Sequence, residues 1–285
     1  MDRVTGLLID PFWSFGFMRI ALVACLALAL ANGPIGTLLL MRRESLDGNV
    51  LSHAVMPGAA LGFLYAGYSL AALTIGGLLT GFAVAALAAL AAGSRPQRQD
   101  SSLIAFYLVS LSLGVLIVAA RGSQADLMHV LFGTVLAIDV KALLLIASIS
   151  SVTVLVMAAL YRPLAIESFD PAFLRAVGGG GGVFRAIFIT LVVFNLVASF
   201  QAFGTLLAIG PLLLPAAAAR CWTQKVWPMI VLATVFGIAA ALAGLLISYY
   251  ANLPSGPAIV MGAGVIYGGS LLSAGRMQLR PRSLR

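Results

Sequence analysis

Asn49 and His53 stand four positions apart in the segment Asn49-Val50-Leu51-Ser52-His53-Ala54-Val55-Met56-Pro57-Gly58. On a helix that interval puts an amide and an imidazole on one face. Imidazole suits zinc, whereas manganese prefers hard carboxylate oxygens, so the pair could serve a divalent cation. The competing role for His53 is structural, an imidazole bonded to a nearby carbonyl. Pro57 and Gly58 should bend the segment that follows. The chain has only two histidines, and an ionisable group inside a membrane span, costing about 2.5–3.5 kcal/mol at its centre, is by default a functional candidate. The second histidine lies in Asp126-Leu127-Met128-His129-Val130-Leu131-Phe132-Gly133. There it could line the mouth of a pathway, and Asp126 and Asp139 could gather cations or simply be solvated loop carboxylates.

The elements that must position these groups are membrane spans. With 61% hydrophobic and 9% charged residues and a mean hydropathy of +1.07, the chain cannot be wrapped around one water-soluble core. A crossing needs about 20 apolar residues, and such runs fall at 14–41, 50–67, 70–92, 102–120, 138–161, 184–200, 203–219, 226–250 and 256–274. The expected architecture is an all-α polytopic membrane protein of eight to nine transmembrane helices. The lower count applies if 203–219, which carries Pro211 and Pro215, is a broken or re-entrant helix beside a cavity, where the two prolines could form a gate. Asn32-Gly33-Pro34 suggests a kink in the first span, and Gly76-Gly77 suggests close helix packing.

Basic residues orient the spans. All but Arg3, Arg19, Arg121 and Lys141 of the 17 lysines and arginines fall in alternate connections, which predicts a cytoplasmic face there and an external N-terminus. The net charge of +8 is thereby absorbed by topology, and nucleic acid is not an expected partner. The bilayer is. Cys25 and Cys221 are too far apart in sequence to suggest a disulfide framework or thiolate cluster, and the N-terminus lacks the pattern of a cleaved signal.

The connection 162–185 differs from the others. Tyr161-Arg162-Pro163 ends a span, and Ser168-Phe169-Asp170-Pro171 supplies an N-cap serine or aspartate before a first-turn proline. Ala172 to Val177 forms a short amphipathic piece exposing Phe173 and Leu174, followed by glycines 178–182. Such a helix lies on lipid or docks into a partner's groove. No G-x-x-x-x-G-K-[ST] loop occurs, so any ATP must be used by another chain. A secondary transporter would need embedded acidic residues, and the spans carry none beyond Asp139 near an end. An intramembrane metalloprotease would need H-E-x-x-H, which is absent.

Four blocks then carry a resemblance. Ser45 to Phe63 (SLDGNVLSHAVMPGAALGF), Asp126 to Gly133, Phe169 to Val177 (FDPAFLRAV), and Gly204 to Ala219 with Leu253-Pro254-Ser255-Gly256-Pro257 resemble, in order, the metal-ion family of ABC-transporter permeases, which import zinc, manganese or iron. The resemblance implies one permease domain over residues 1–285 with a type II ABC-importer-like fold, in a bacterial cytoplasmic (inner) membrane. It implies a second permease copy, a homodimer, with separate ATPase subunits beneath and a periplasmic metal-binding protein above. Segment 162–183 would be the coupling segment, with Phe169, Asp170, Phe173 and Arg175 facing the ATPase. Where the family usually has aspartate four residues before the histidine, this chain has Asn49. Two copies would then offer two imidazoles and two amides, with Asp47 as a source of the missing charge. The expected cargo is zinc, with manganese or iron as the alternative, and no covalent chemistry is expected in this chain.

Overall fold

In lipid, only intrahelical hydrogen bonds can satisfy a spanning backbone of this kind, so the apolar runs must be helices. The computed structural model describes residues 10–42, 53–67, 69–92, 109–110, 112–117, 133, 135–176, 181–204 and 207–278. Its helices are α1 (Gly16–Met41), α2 (Met56–Ala66), α3 (Leu70–Ala92), α4 (Val140–Ala159), α5 (Tyr161–Phe169), α6 (Pro171–Ala176), α7 (Gly181–Phe203), α8 (Gly210–Arg220), α9 (Val226–Ala251) and α10 (Ser255–Gln278). A single 3₁₀ turn, Val135–Ala137, precedes α4.

Among the described residues, six helices are long and apolar enough to cross a membrane: α1, α3, α4, α7, α9 and α10. Of the expected run 50–67, the described residues are a helical turn at 53–54 and the 11-residue α2, the latter about 17 Å of rise where a bilayer core needs about 30 Å. Within 102–120, residues 109–110 and 112–117 are described, and they are helical. The run 203–219 resolves into a turn at 207–209 and the short helix α8. The turn precedes both prolines, and α8 runs unbroken through Pro211 and Pro215.

α1 is the hub. In its span 72% of residues are buried, against 28% in α3 and α4, and it packs on α9, α4 and α8. Its first half joins a cluster with Ile146 of α4, Ala198 of α7 and Leu245 of α9. Its second half, through Ile35 and Leu38, joins Leu164 of α5, Phe188 of α7 and Leu212 of α8. The helix runs past Pro34 to Met41 without a break. A β carbon on Gly33 would strike Thr234 of α9, and one on Gly36 would strike the Leu212 carbonyl. Because lipid tails are as apolar as leucine, such close backbone approach supplies the packing that holds helices together in a membrane.

Polar side chains join helices inside the bundle. Asn195 Nδ2 of α7 donates to Thr153 Oγ1 of α4 at 2.7 Å and to the Leu191 carbonyl at 2.8 Å. Asn32 Nδ2 of α1 lies 3.4 Å from Ser199 Oγ of α7. At one end of the bundle Arg42 pairs with Glu167, Arg220 Nη1 donates to the Leu40 carbonyl at 3.1 Å, and Tyr161 meets Trp227. At the other end Phe15 meets Tyr249. Arg42, Arg162 and Arg220 thus share one face, as their alternate connections required.

Candidate functional site

His53 is buried, at 6% exposure, in a helical turn at 53–54 that leads through Val55 into α2. Val55 has right-handed helical dihedrals, φ −69° and ψ −28°, so the chain is already helical before α2 begins. Pro57 falls in the first turn of α2, where its missing N–H leaves no hydrogen bond unmade. It stands where the helical residues 53–54 give way, through a turn at Val55, to α2, the place the sequence marks for a bend.

Gly58 serves close approach. A β carbon there would collide with the Gly76 carbonyl oxygen of α3, and one on Gly62 with the Ala72 carbonyl. α2 and α3 consequently meet backbone to backbone through small residues four apart. Val55 locks the turn further. Its Cγ1 lies 2.8 Å from where a β carbon of Gly77 would stand, with Val197 of α7 at 3.6 Å from the same point. Thr80 Oγ1 sits 3.4 Å from the Val55 carbonyl oxygen. Met56 packs against Gly114 of the helical stretch 112–117 in the same way. His53 is accordingly held at a junction of α2, α3 and α7.

Asp47, Asn49, Asp126 and His129 lie outside the described residues. Among the described residues there is no group of three histidine, cysteine or acidic side chains able to hold a metal ion. Asp139 has an ordinary role: its Oδ1 accepts from Ala142 N at 2.8 Å, capping α4. Cys25 is buried, Cys221 is half-buried, and both are free thiols.

The connection after α4 is two helices hinged at one residue. Asp170, rather than Ser168, is the N-cap of α6: its Oδ1 accepts from Phe173 N at 2.8 Å, and Pro171 follows in the first turn. Phe169 and Phe173, exposed by 58% and 55%, and Ile166 leave apolar side chains at the surface of this connection. Leu174 corrects the sequence expectation, for it is buried at 8%. It falls next to Phe173 on a six-residue helix, so the two point to different faces. Of Arg175, the backbone lies in α6.

Two residues of importance were not singled out from the sequence. Glu167 is buried and pairs with Arg42, whose Nε also donates to Ser168 Oγ at 2.9 Å. The Arg42 guanidinium lies 4.1 Å from the centroid of the Phe188 ring. The available signal was that Glu167 has no basic residue at i±3 or i±4, so a buried carboxylate there needs a partner distant in sequence. In α8, Pro211 is in the first turn and Pro215 is buried within the helix, and Gly210 approaches Val260 of α10.

Comparison with known proteins extends over nearly the whole chain. The model of the ABC 3 transport family matches residues 14–274. The manganese import system permease protein ScaB of Streptococcus parasanguinis is 30% identical over 259 residues, 91% of each chain. The manganese transport system membrane protein MntC of Halalkalibacterium halodurans is 30% identical over 259 residues, 90% of this chain and 87% of that one. Among solved structures, a chain of PsaBC from Streptococcus pneumoniae, in complex with Fab, superposes with a TM-score of 0.85 at 28% identity, covering 95% of this chain and 97% of that one.

Proposed function

The chain belongs to the ABC 3 transport family, and from that premise we propose that it is the membrane-spanning permease of a binding-protein-dependent importer whose cargo is manganese. The observation that carries this reading is the near end-to-end similarity to permeases named for manganese. The zinc assignment suggested by His53 and Asn49 finds no support among those names, and the manganese alternative fits them better. A harder ion also suits the oxygen donors at hand, the Asn49 amide and the Asp47 carboxylate, better than it suits imidazole alone.

In this reading the transit site is built from His53, Asn49 and Asp47 of two copies of the chain about a dimer axis. Each copy then supplies only part of the coordination shell. Loss of the usual aspartate weakens the hold on the ion, which favours release, since a transit site must let its ion leave as well as enter. The ion is delivered from outside by a periplasmic binding protein. ATP is hydrolysed in separate ATPase subunits docked against Ile166, Phe169 and Phe173, while Asp170 acts as the cap that keeps α6 in register. Pro211, in the first turn of α8, and Pro215, within it, gate the path beside the turn at 207–209 that separates α7 from α8. One permease domain of eight or nine spans, with its coupling segment over 162–183, sits in a bacterial inner membrane.

The test is uptake of radioactive manganese and zinc into proteoliposomes holding the chain with its ATPase and binding protein, with His53→Ala beside the unaltered protein. ATP-dependent manganese uptake that disappears in His53→Ala, with ATP hydrolysis retained, is the expected result. Uptake that persists without His53 would make the imidazole structural, and a preference for zinc would overturn the cargo.

A further inference from the structure

We propose that the Arg42–Glu167 pair, together with Ser168 and the Phe188 ring, is the linkage through which movement of the ATPase-facing segment reaches α1. It rests on the transport reading above. Glu167 is buried while Phe169, two residues on, is exposed. Side chains two apart point to different helix faces, so α5 presents aromatic surface outward and a carboxylate to the bundle.

The carboxylate meets a rigid partner. Arg42 caps the C-terminus of α1, its N–H bonded to the Leu38 carbonyl at 2.9 Å, where a cation complements the helix dipole. Its guanidinium takes hold of two consecutive residues of α5, pairing with Glu167 and donating Nε to Ser168 Oγ at 2.9 Å. Ser168 in turn donates to the Leu164 carbonyl at 2.6 Å. A planar fork held at two points fixes orientation as well as distance, which a single lysine contact does not. The Phe188 ring forms a third wall. The Arg42 and Glu167 side chains are only 4% and 6% exposed, and the Phe188 ring, itself part of an apolar cluster, covers the guanidinium. Salt therefore screens the pair little.

Stability does not account for such a pair, because well-packed apolar residues in place of a buried ion pair are often as stable or more so. Mechanical register does account for it. α1 is the most enclosed span and contacts α4, α8 and α9, so a pull at its end is felt across the bundle.

The experiment compares R42M/E167M and R42K with the unaltered chain, each reconstituted with its ATPase and binding protein. The readouts are thermal stability, ATPase copurification, ATP hydrolysis and manganese taken up per ATP. R42M/E167M removes both charges of the pair together, so the complex is expected to assemble and hydrolyse ATP while uptake per ATP falls about fivefold or more. R42K, which keeps the charge without the fork, lowers the ratio too, and decides the matter by the same readout if the double variant does not assemble. A wild-type ratio in the assembled variants would overturn the linkage. If the unaltered complex takes up no divalent metal with ATP, the transport reading falls and the linkage with it.

Discussion

Replacing Gly76 with alanine should separate α2 from α3 and carry His53 with it. A β carbon at Gly76 would lie 2.8 Å from the Gly58 carbonyl carbon and would overlap the Gly58 carbonyl oxygen. Carbon atoms in contact settle at about 3.5–4.0 Å, so the two backbones must part by about 1 Å. Neither side can yield by a rotamer change, because both contacts are main chain. Overpacking of this kind costs about 1–3 kcal/mol. Gly58 stands five residues beyond His53, across the turn at Val55, so the displacement reaches the imidazole. A binding constellation tolerates only about 0.5 Å of error before it is lost. The assay pairs the Tm of purified protein in detergent with the initial rate of manganese uptake by the reconstituted complex. A lower Tm and an uptake rate reduced by roughly tenfold or more are expected, by analogy with the penalty for a 1 Å misplacement in an active site. Gly264→Ala is the control: nothing lies within 4 Å of its β carbon, so both readouts should match the unaltered protein. Gly76→Ala with unchanged Tm and uptake would refute the glycine contact and the positioning of His53 by it.

Two further outcomes follow from the geometry. Asn195→Leu removes the 2.7 Å bond to Thr153 between α7 and α4 and should cost about 0.6–2 kcal/mol in unfolding measurements. The loss in Asn195→Leu/Thr153→Val should be less than the sum of the single losses. Phe169→Asp with Phe173→Asp replaces two exposed aromatic rings with charge at the proposed ATPase surface. If both are hot spots, partner affinity drops by about thirtyfold or more while the permease keeps its Tm. Undiminished copurification would move the docking surface elsewhere.

The glycines and prolines illustrate how far local chemistry reads correctly. Gly76-Gly77 signalled close packing, and the signal was right because a missing β carbon has few other uses within an apolar helix. Pro57 marked a change in the helix, which falls at the turn at Val55, but the packing of Val55 and Gly58 on α3 could not be read from it. Leu174 was misread as exposed because a helix of six residues is too short for periodicity to choose its inner face. The burial of Leu174 comes from contact with neighbouring elements.

The sequence by itself determined that this chain lies in a membrane and which residues, His53 among them, are candidates for its chemistry. Those properties depend on composition and on residues close in the chain, where the cost of burying charge and backbone in lipid leaves few choices. Only the tertiary structure decided that α1 is the hub, that Asp170 rather than Ser168 caps α6, and that Glu167 finds Arg42 across 125 positions. Contacts between helices distant in sequence leave no period or local motif to read. Their partners are selected when the whole bundle closes.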